Sequence, residues 1–280
     1  MAYIPIDIEE ALKRECRRRR YSDKTIKTYL YCINRFLKFT EKELGKISKK
    51  DVREFLEHLD EKDLAGNTMN TYHMAIRFLF QDVLNKKIWI DIKYSKIPEK
   101  LPVVLTKEEV KKLFTTINNE KHRLMIQVMY SAGLRVSELI NLKIKDLEIE
   151  KGYGFVRAGK GNKDRIFIIA QKIKRDLMEF IRNNKTNNLT GNAYLFKGRN
   201  GHISQRMIQV ILNNAAEKAK ITKNVHPHVL RHSFAKHLEF NGSSPFTIQA
   251  LLGHSDLRTT MRYLHTSVPV IGVKSPIDSL

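Results

Sequence analysis

The stretch EIEKGYGFVRAGKGNKDRIFII, Glu148 to Ile169, decides the fold class. Three short segments, EIE, YGFVRA and RIFII, show strand-like alternation or short apolar runs, separated by Lys-Gly and by GKGNKD. Between 146 and 170 this pattern predicts a three-stranded antiparallel meander, with a tight, basic, glycine-containing turn before the last strand. On both sides of it the apolar residues return at helical spacing. The chain is therefore expected to be mainly α, with one small sheet.

Upstream, four amphipathic helices are expected at about 7–19, 23–42, 49–62 and 68–86. Ser22, Ser48 and Asn67 stand at N-cap positions, and Gly45 and Gly66 punctuate the gaps. In the second helix Ile26, Tyr29, Leu30, Ile33, Phe36 and Leu37 form one apolar stripe. KYSKIPEKLPVVLT, 93–106, has two prolines and no stripe, which marks a linker. The organisation expected is a helical domain over 1–92, a linker over 93–104 and a mostly helical second domain over 105–280. In that second domain a capping box, Thr106 with Glu109, opens a helix to about 117, and another runs 120–132. Gly133 breaks it, and a short helix restarts near 136. Downstream of the sheet the spacing predicts helices at 171–184, 204–219, 227–240, 245–252 and 256–265.

With 51 Lys and Arg against 30 Asp and Glu, the formal charge is +21. Residues 98–280 carry 30 of the basic and 15 of the acidic side chains, so the second part is the more cationic. Such a field favours a polyanion, nucleic acid above all, because each neutralised phosphate releases condensed counterions. RRRR at 17–20 fits a DNA backbone contact or a solvated helix end equally well. Two cysteines, Cys16 and Cys32, fit neither a disulfide framework nor a zinc ribbon, which points to a reducing compartment. No apolar run reaches ~18 residues, and MAYIPIDIEE is no signal peptide. A cytoplasmic protein with no membrane partner is expected.

In HPHVLRH, 226–232, Pro227 suits the first turn of a helix. His228 and Arg231 then share a face near a helix N-terminus, where free N–H groups favour an anion. His228 and His232 also stand four apart, as metal ligands do. A zincin helix would need a Glu beside the first His and a third ligand, whereas Val229 follows His228 and Arg231 lies on the ligand face. No metal or other cofactor is expected.

In LLGHSDLRTTMRY, 251–263, Gly253 ends one helix and Ser255 or Asp256 can cap the next. That turn lets His254 and Tyr263 converge, although on one continuous helix they would face opposite ways. Thr259 and Thr260 make the last helix marginal, which suits Tyr263 to a mobile nucleophile rather than to a core. Arg135 in an interhelical turn and Lys160 in the hairpin complete a set suited to phosphodiester chemistry. Two guanidiniums hold non-bridging oxygens, imidazoles donate or move protons, and a Lys protonates a leaving alkoxide.

GLRVSEL, GKGNKDR, HPHVLRHSFA, LLGH and TTMRYLH, in this order over 133–265, resemble the signature boxes of the tyrosine recombinases, the phage integrase family. The GKGNK and LLGH spellings are most similar to the Xer recombinases that resolve chromosome dimers, archaeal members included. The resemblance implies a four-helix core-binding domain and a mostly helical catalytic domain. It also implies an arginine pair, Arg135 and Arg231, with Lys160 as the hairpin lysine, His228 and His254 as the two histidines, and Tyr263 as the nucleophile. Lys163 and Arg165 are further cations in the same hairpin, and Met261 stands where many relatives have Gln. The partner implied is double-stranded DNA carrying a specific recombination site. On two such sites a homotetramer would form, exchanging the C-terminal tail 267–280 between subunits; off DNA the chain would be a monomer or weak dimer.

Three other functions compete with this one. A non-enzymatic helix-turn-helix regulator would use 245–265 but has no need of Arg135, Lys160, His228 and Arg231. A metal-dependent nuclease would need acidic ligands near the histidines. A type IB topoisomerase would run similar chemistry on one duplex.

Overall fold

The computed structural model describes residues 5–86, 93–96, 102–157, 164–185, 191–198, 201–253 and 275–280. They divide between two units, Met1–Lys100 and Leu101–Leu280.

In the first unit, helices α1 (Ile6–Arg18), α2 (Asp23–Thr40), α3 (Lys49–Glu61) and α4 (Gly66–Arg77) enclose one core. The Ser22 hydroxyl accepts the Thr25 N–H, and the Asp51 carboxylate accepts from the Ser48 N–H and hydroxyl. These bonds satisfy first-turn donors that a helix leaves open. Ile26, Tyr29, Ile33, Phe36 and Leu37 of the α2 stripe are buried; Leu30 is only partly so.

The fourth helix departs from the 68–86 expected. It begins at Gly66 with Ala65, not Asn67, as N-cap, and after Arg77 it passes into a π-helical turn, Phe78–Val83. The wider turn keeps three consecutive apolar residues, Phe78, Leu79 and Phe80, all buried. Within RRRR, Arg18 and Arg19 clamp Glu15, and Arg19 also reaches Asp82 at 2.5 Å. That much of the run is tied to its own unit.

The second unit begins with α5 (Lys107–Thr115), capped by the Thr106–Glu109 box, then α6 (Glu120–Ser131) and the short α7 (Val136–Asn141). Strands β1 (Leu147–Glu148), β2 (Tyr153–Val156) and β3 (Arg165–Ile168) form the antiparallel meander in the order β1-β2-β3. The register pairs Tyr153 with Ile168 and Val156 with Arg165. The first strand is shorter than EIE suggested, because the Gly152 N–H turns back to the carbonyls of Glu148 and Ile149.

Helix α8 (Gln171–Lys185) follows, then β4 (Lys197–Gly198) paired with β5 (Gly201–His202). That second ladder has two residues per strand, too few for alternation to reveal it. Helices α9 (Gln205–Lys218), α10 (Pro227–Phe240) and α11 (Pro245–Leu252) complete the unit. Its core gathers Leu113, Met129, Leu139, Phe167, Leu212 and Phe234, each stabilising by roughly 1.5–3 kcal/mol on burial.

The end of the chain packs on this unit. The Ser275 hydroxyl donates to the Ser131 carbonyl, Ile277 is buried, and the Asp278 carboxylate accepts the Lys172 N–H at the start of α8. No helix among the described residues is long and apolar enough to cross a membrane.

Candidate active site

Gly133 sets the site in place. Its φ of +57° lies in the left-handed region, and a Cβ there would stand 2.4 Å from the Phe234 ring of α10. With no side chain the chain turns hard against α10 and delivers Arg135 as N-cap of α7. The α6 and α10 frames are joined below by a buried hydrogen bond, 2.7 Å, between the Tyr130 hydroxyl and His237 Nδ1.

Glu138, one turn into α7, is the hub. Its carboxylate accepts the Arg135 backbone N–H at 2.8 Å, Arg135 Nη1 at 2.7 Å and Arg165 Nη2 at 2.6 Å, and Arg231 Nη1 lies 3.8 Å away. Arg231, on α10 and buried, donates to the Gly133 carbonyl at 2.6 Å and to the Leu252 carbonyl. Three guanidiniums thus share one carboxylate, leaving two positive charges in excess in a largely dry place. Burial, with Arg135 and Arg165 alongside, pushes the Arg231 guanidinium well below its usual range. An oxyanion arriving here would relieve that cost.

Arg135 is the most open of the three, its side chain one-fifth exposed. A cleft of about 670 Å³ opens beside it, with Ser137, Asn141, Lys143, Lys145 and Arg157 among its walls.

His228 follows Pro227 in the first turn of α10, exposed, with the His226 ring 6.2 Å away. Partial desolvation by the surrounding protein, then His226, Arg231 and Arg135, push its imidazole below the usual 6.5. At neutral pH it is uncharged and free to accept a proton. Among the described residues no group of three His, Cys, Asp or Glu side chains is placed to hold a metal ion.

The structure therefore brings together Arg135, His228 and Arg231. Lys160, Lys163, His254 and Tyr263 lie outside the described residues, as do the helix expected at 256–265 and tail residues 267–274. Arg165, which from sequence was a spare hairpin cation, turns inward instead: only 8 % of its side chain is exposed. Glu138 was missed. The available signal was its spacing in RVSE, three residues after Arg135 on one helical face.

Fold and site together define a two-unit, mainly helical protein that gathers guanidiniums from a turn and a helix around an anion-receptive centre. Residues 103–268 match the model of the phage integrase family, and residues 8–90 match its N-terminal SAM-like domain. The tyrosine recombinase XerA of Pyrococcus furiosus is 37% identical over 249 residues, covering 86% of this chain and 83% of that one. The tyrosine recombinase XerC of Staphylococcus epidermidis is 30% identical over 265 residues, 89% and 88% of the two chains. The crystal structure of the XerH site-specific recombinase in a pre-cleavage complex with its difH substrate superposes with a TM-score of 0.70 at 26% identity, covering 92% of this chain and 82% of that one. The chain belongs to the phage integrase family and is a tyrosine recombinase of the Xer type, a site-specific recombinase enzyme.

Proposed function

We propose that the protein cuts and rejoins double-stranded DNA at a specific site through a 3′-phosphotyrosyl intermediate, with Tyr263 as nucleophile. The observation that carries this is the convergence of Arg135 and Arg231, from separate elements, on Glu138, with His228 on the same helix as Arg231. That cluster is built to stabilise charge on a phosphate as it becomes pentavalent.

The Tyr263 oxygen forms a bond to phosphorus while the bond from phosphorus to the 5′ oxygen breaks. The phenol, with an ordinary pKa near ~10, gives up its proton in the attack. His228, uncharged at neutral pH, takes or orients it. Lys160 gives a proton to the departing 5′ oxygen, and His254 donates to a non-bridging oxygen. A 5′-hydroxyl from the partner duplex then attacks the phosphotyrosine, restoring one phosphodiester for each one broken. Neither ATP nor a metal ion enters this balance.

Residues 1–92 act as the core-binding arm in this scheme. The exposed side of α2, with Lys24, Lys27, Tyr31 and Lys38, supports that role. Exchange takes place in a tetramer on two sites, and the Ile277 seat on the catalytic unit is where a neighbour's tail would dock. Resolution of chromosome dimers is the biological task.

Two labelled duplexes carrying the site test the function. Strand exchange between them in EDTA and without ATP is the expected result. Relaxation of supercoils with no exchange would point to a topoisomerase, and sequence-specific binding with neither activity would point to a regulator.

A further inference from the structure

We propose that Arg165 is a positioning residue for the strand-transfer site, tying the arginine-holding carboxylate to the end of helix α11, which stands two residues before His254 in the sequence. This rests on the function proposed above.

The register of the meander places Arg165 at the start of β3, opposite Val156, at the mouth of the hairpin that carries Lys160. Its guanidinium binds two protein groups. Nη2 donates to Glu138 at 2.6 Å, and Nη1 donates to the Leu251 carbonyl in the last turn of α11. One planar fork therefore joins three elements: β3, α7 and α11.

Gly253 closes the geometry. Its φ is +61°, and a Cβ there would stand 2.6 Å from Arg165 Cδ, so the helix cap and the arginine stem occupy adjacent space that no other residue would leave open. The Nε–H is buried without a partner among the described residues, so the two terminal nitrogens alone hold the fork. Arg231 makes the parallel link from the other side, to the carbonyls of Gly133 and Leu252. Two consecutive carbonyls of α11 are thus each bonded to one guanidinium of the cluster around Glu138. The direction in which the chain leaves α11 and the placing of Arg135 are fixed by the same carboxylate.

An arginine is required because a single side chain must hold a carboxylate and a carbonyl in one plane. A lysine has the charge without the planar fork. Arg165 also supplies much of the positive field that keeps Glu138 ionised. Its loss should therefore shift a titration as well as a rate, which loosened packing alone would not do. The groups facing Glu138 are Arg135 from α7, Arg165 from β3 and Arg231 from α10.

The test uses the full chain, a nicked suicide duplex at saturation, and two variants, Arg165→Met and Arg165→Lys. Single-turnover formation of the covalent adduct as a function of pH, DNA affinity and melting temperature are measured for each. Arg165→Met is expected to form adduct about 10²-fold more slowly with affinity within about two-fold of the parent, and its acid limb should move to higher pH. Arg165→Lys is expected to fall between the two in rate and to keep the parent's acid limb. Adduct formation at the parental rate in either folded variant would overturn the proposal, as would a defect confined to affinity. Failure of both variants to fold would also overturn it, by assigning Arg165 to the fold alone. A parent protein that forms no adduct would contradict the strand-transfer function instead, which keeps the two failures apart.

Discussion

At the scale of single residues, Glu138 bears the most. Burial alone would raise its carboxyl, but Arg165 and then the Arg135 amide and guanidinium outweigh burial and hold it below the usual 4.5. Replacing it by Gln keeps the shape and removes the charge, leaving three guanidiniums without their shared anion. Glu138→Gln is expected to cost about 3–5 kcal/mol in urea denaturation at neutral pH. Because the folded pKa is depressed, this stabilising contribution is complete above the unfolded value and is lost as pH falls below about 4.5. The gap between parent and variant should therefore narrow on acidification; a gap independent of pH would contradict the ionised bridge. The local settings of Arg135, His228 and Arg231 were legible because each has its own signal: a glycine break before Arg135, a proline-started helix beneath His228 and Arg231. Glu138 was not, since its meaning depends on β3 returning 27 residues later to set Arg165 against it.

At the scale of elements, caps and stripes located the four helices of the first unit, because each helix carries its own cap and its own apolar face. The π-helical turn at Phe78–Val83 escaped because it is a response to three consecutive apolar residues that all find room in the core. The β4–β5 ladder escaped because two-residue strands carry no period. At the chain end the described contacts belong to Ser275, Ile277 and Asp278. Ile277 is 2 % exposed, and an Asp there would place a charge in an apolar seat. In a gel-shift titration Ile277→Asp is expected to bind one half-site nearly as the parent does and to lose cooperative filling of the second. Unchanged cooperativity would remove the tail from assembly.

At the scale of the whole molecule, a +21 chain makes a polyanion its natural partner, and the fold turns part of that charge inward. The surface lysines supply long-range attraction, which salt weakens. In the proposed mechanism the buried arginines would supply a fixed, low-dielectric place for one phosphate, which salt would weaken far less. Helical periodicity made the fold class legible and the signature boxes the family; which cations point inward was not, because that depends on three elements closing on one carboxylate. The central claim is that a phosphate held by Arg135 and Arg231 is transferred to Tyr263. It is tested by incubating the protein with a nicked suicide duplex, denaturing in SDS, and mapping any DNA-linked peptide. A peptide covalently joined through Tyr263 to a 3′ phosphate, absent in Tyr263→Phe and lost in Arg231→Met, is the result expected. An adduct that survives Tyr263→Phe, or cleavage with no protein joined to the DNA, would contradict it.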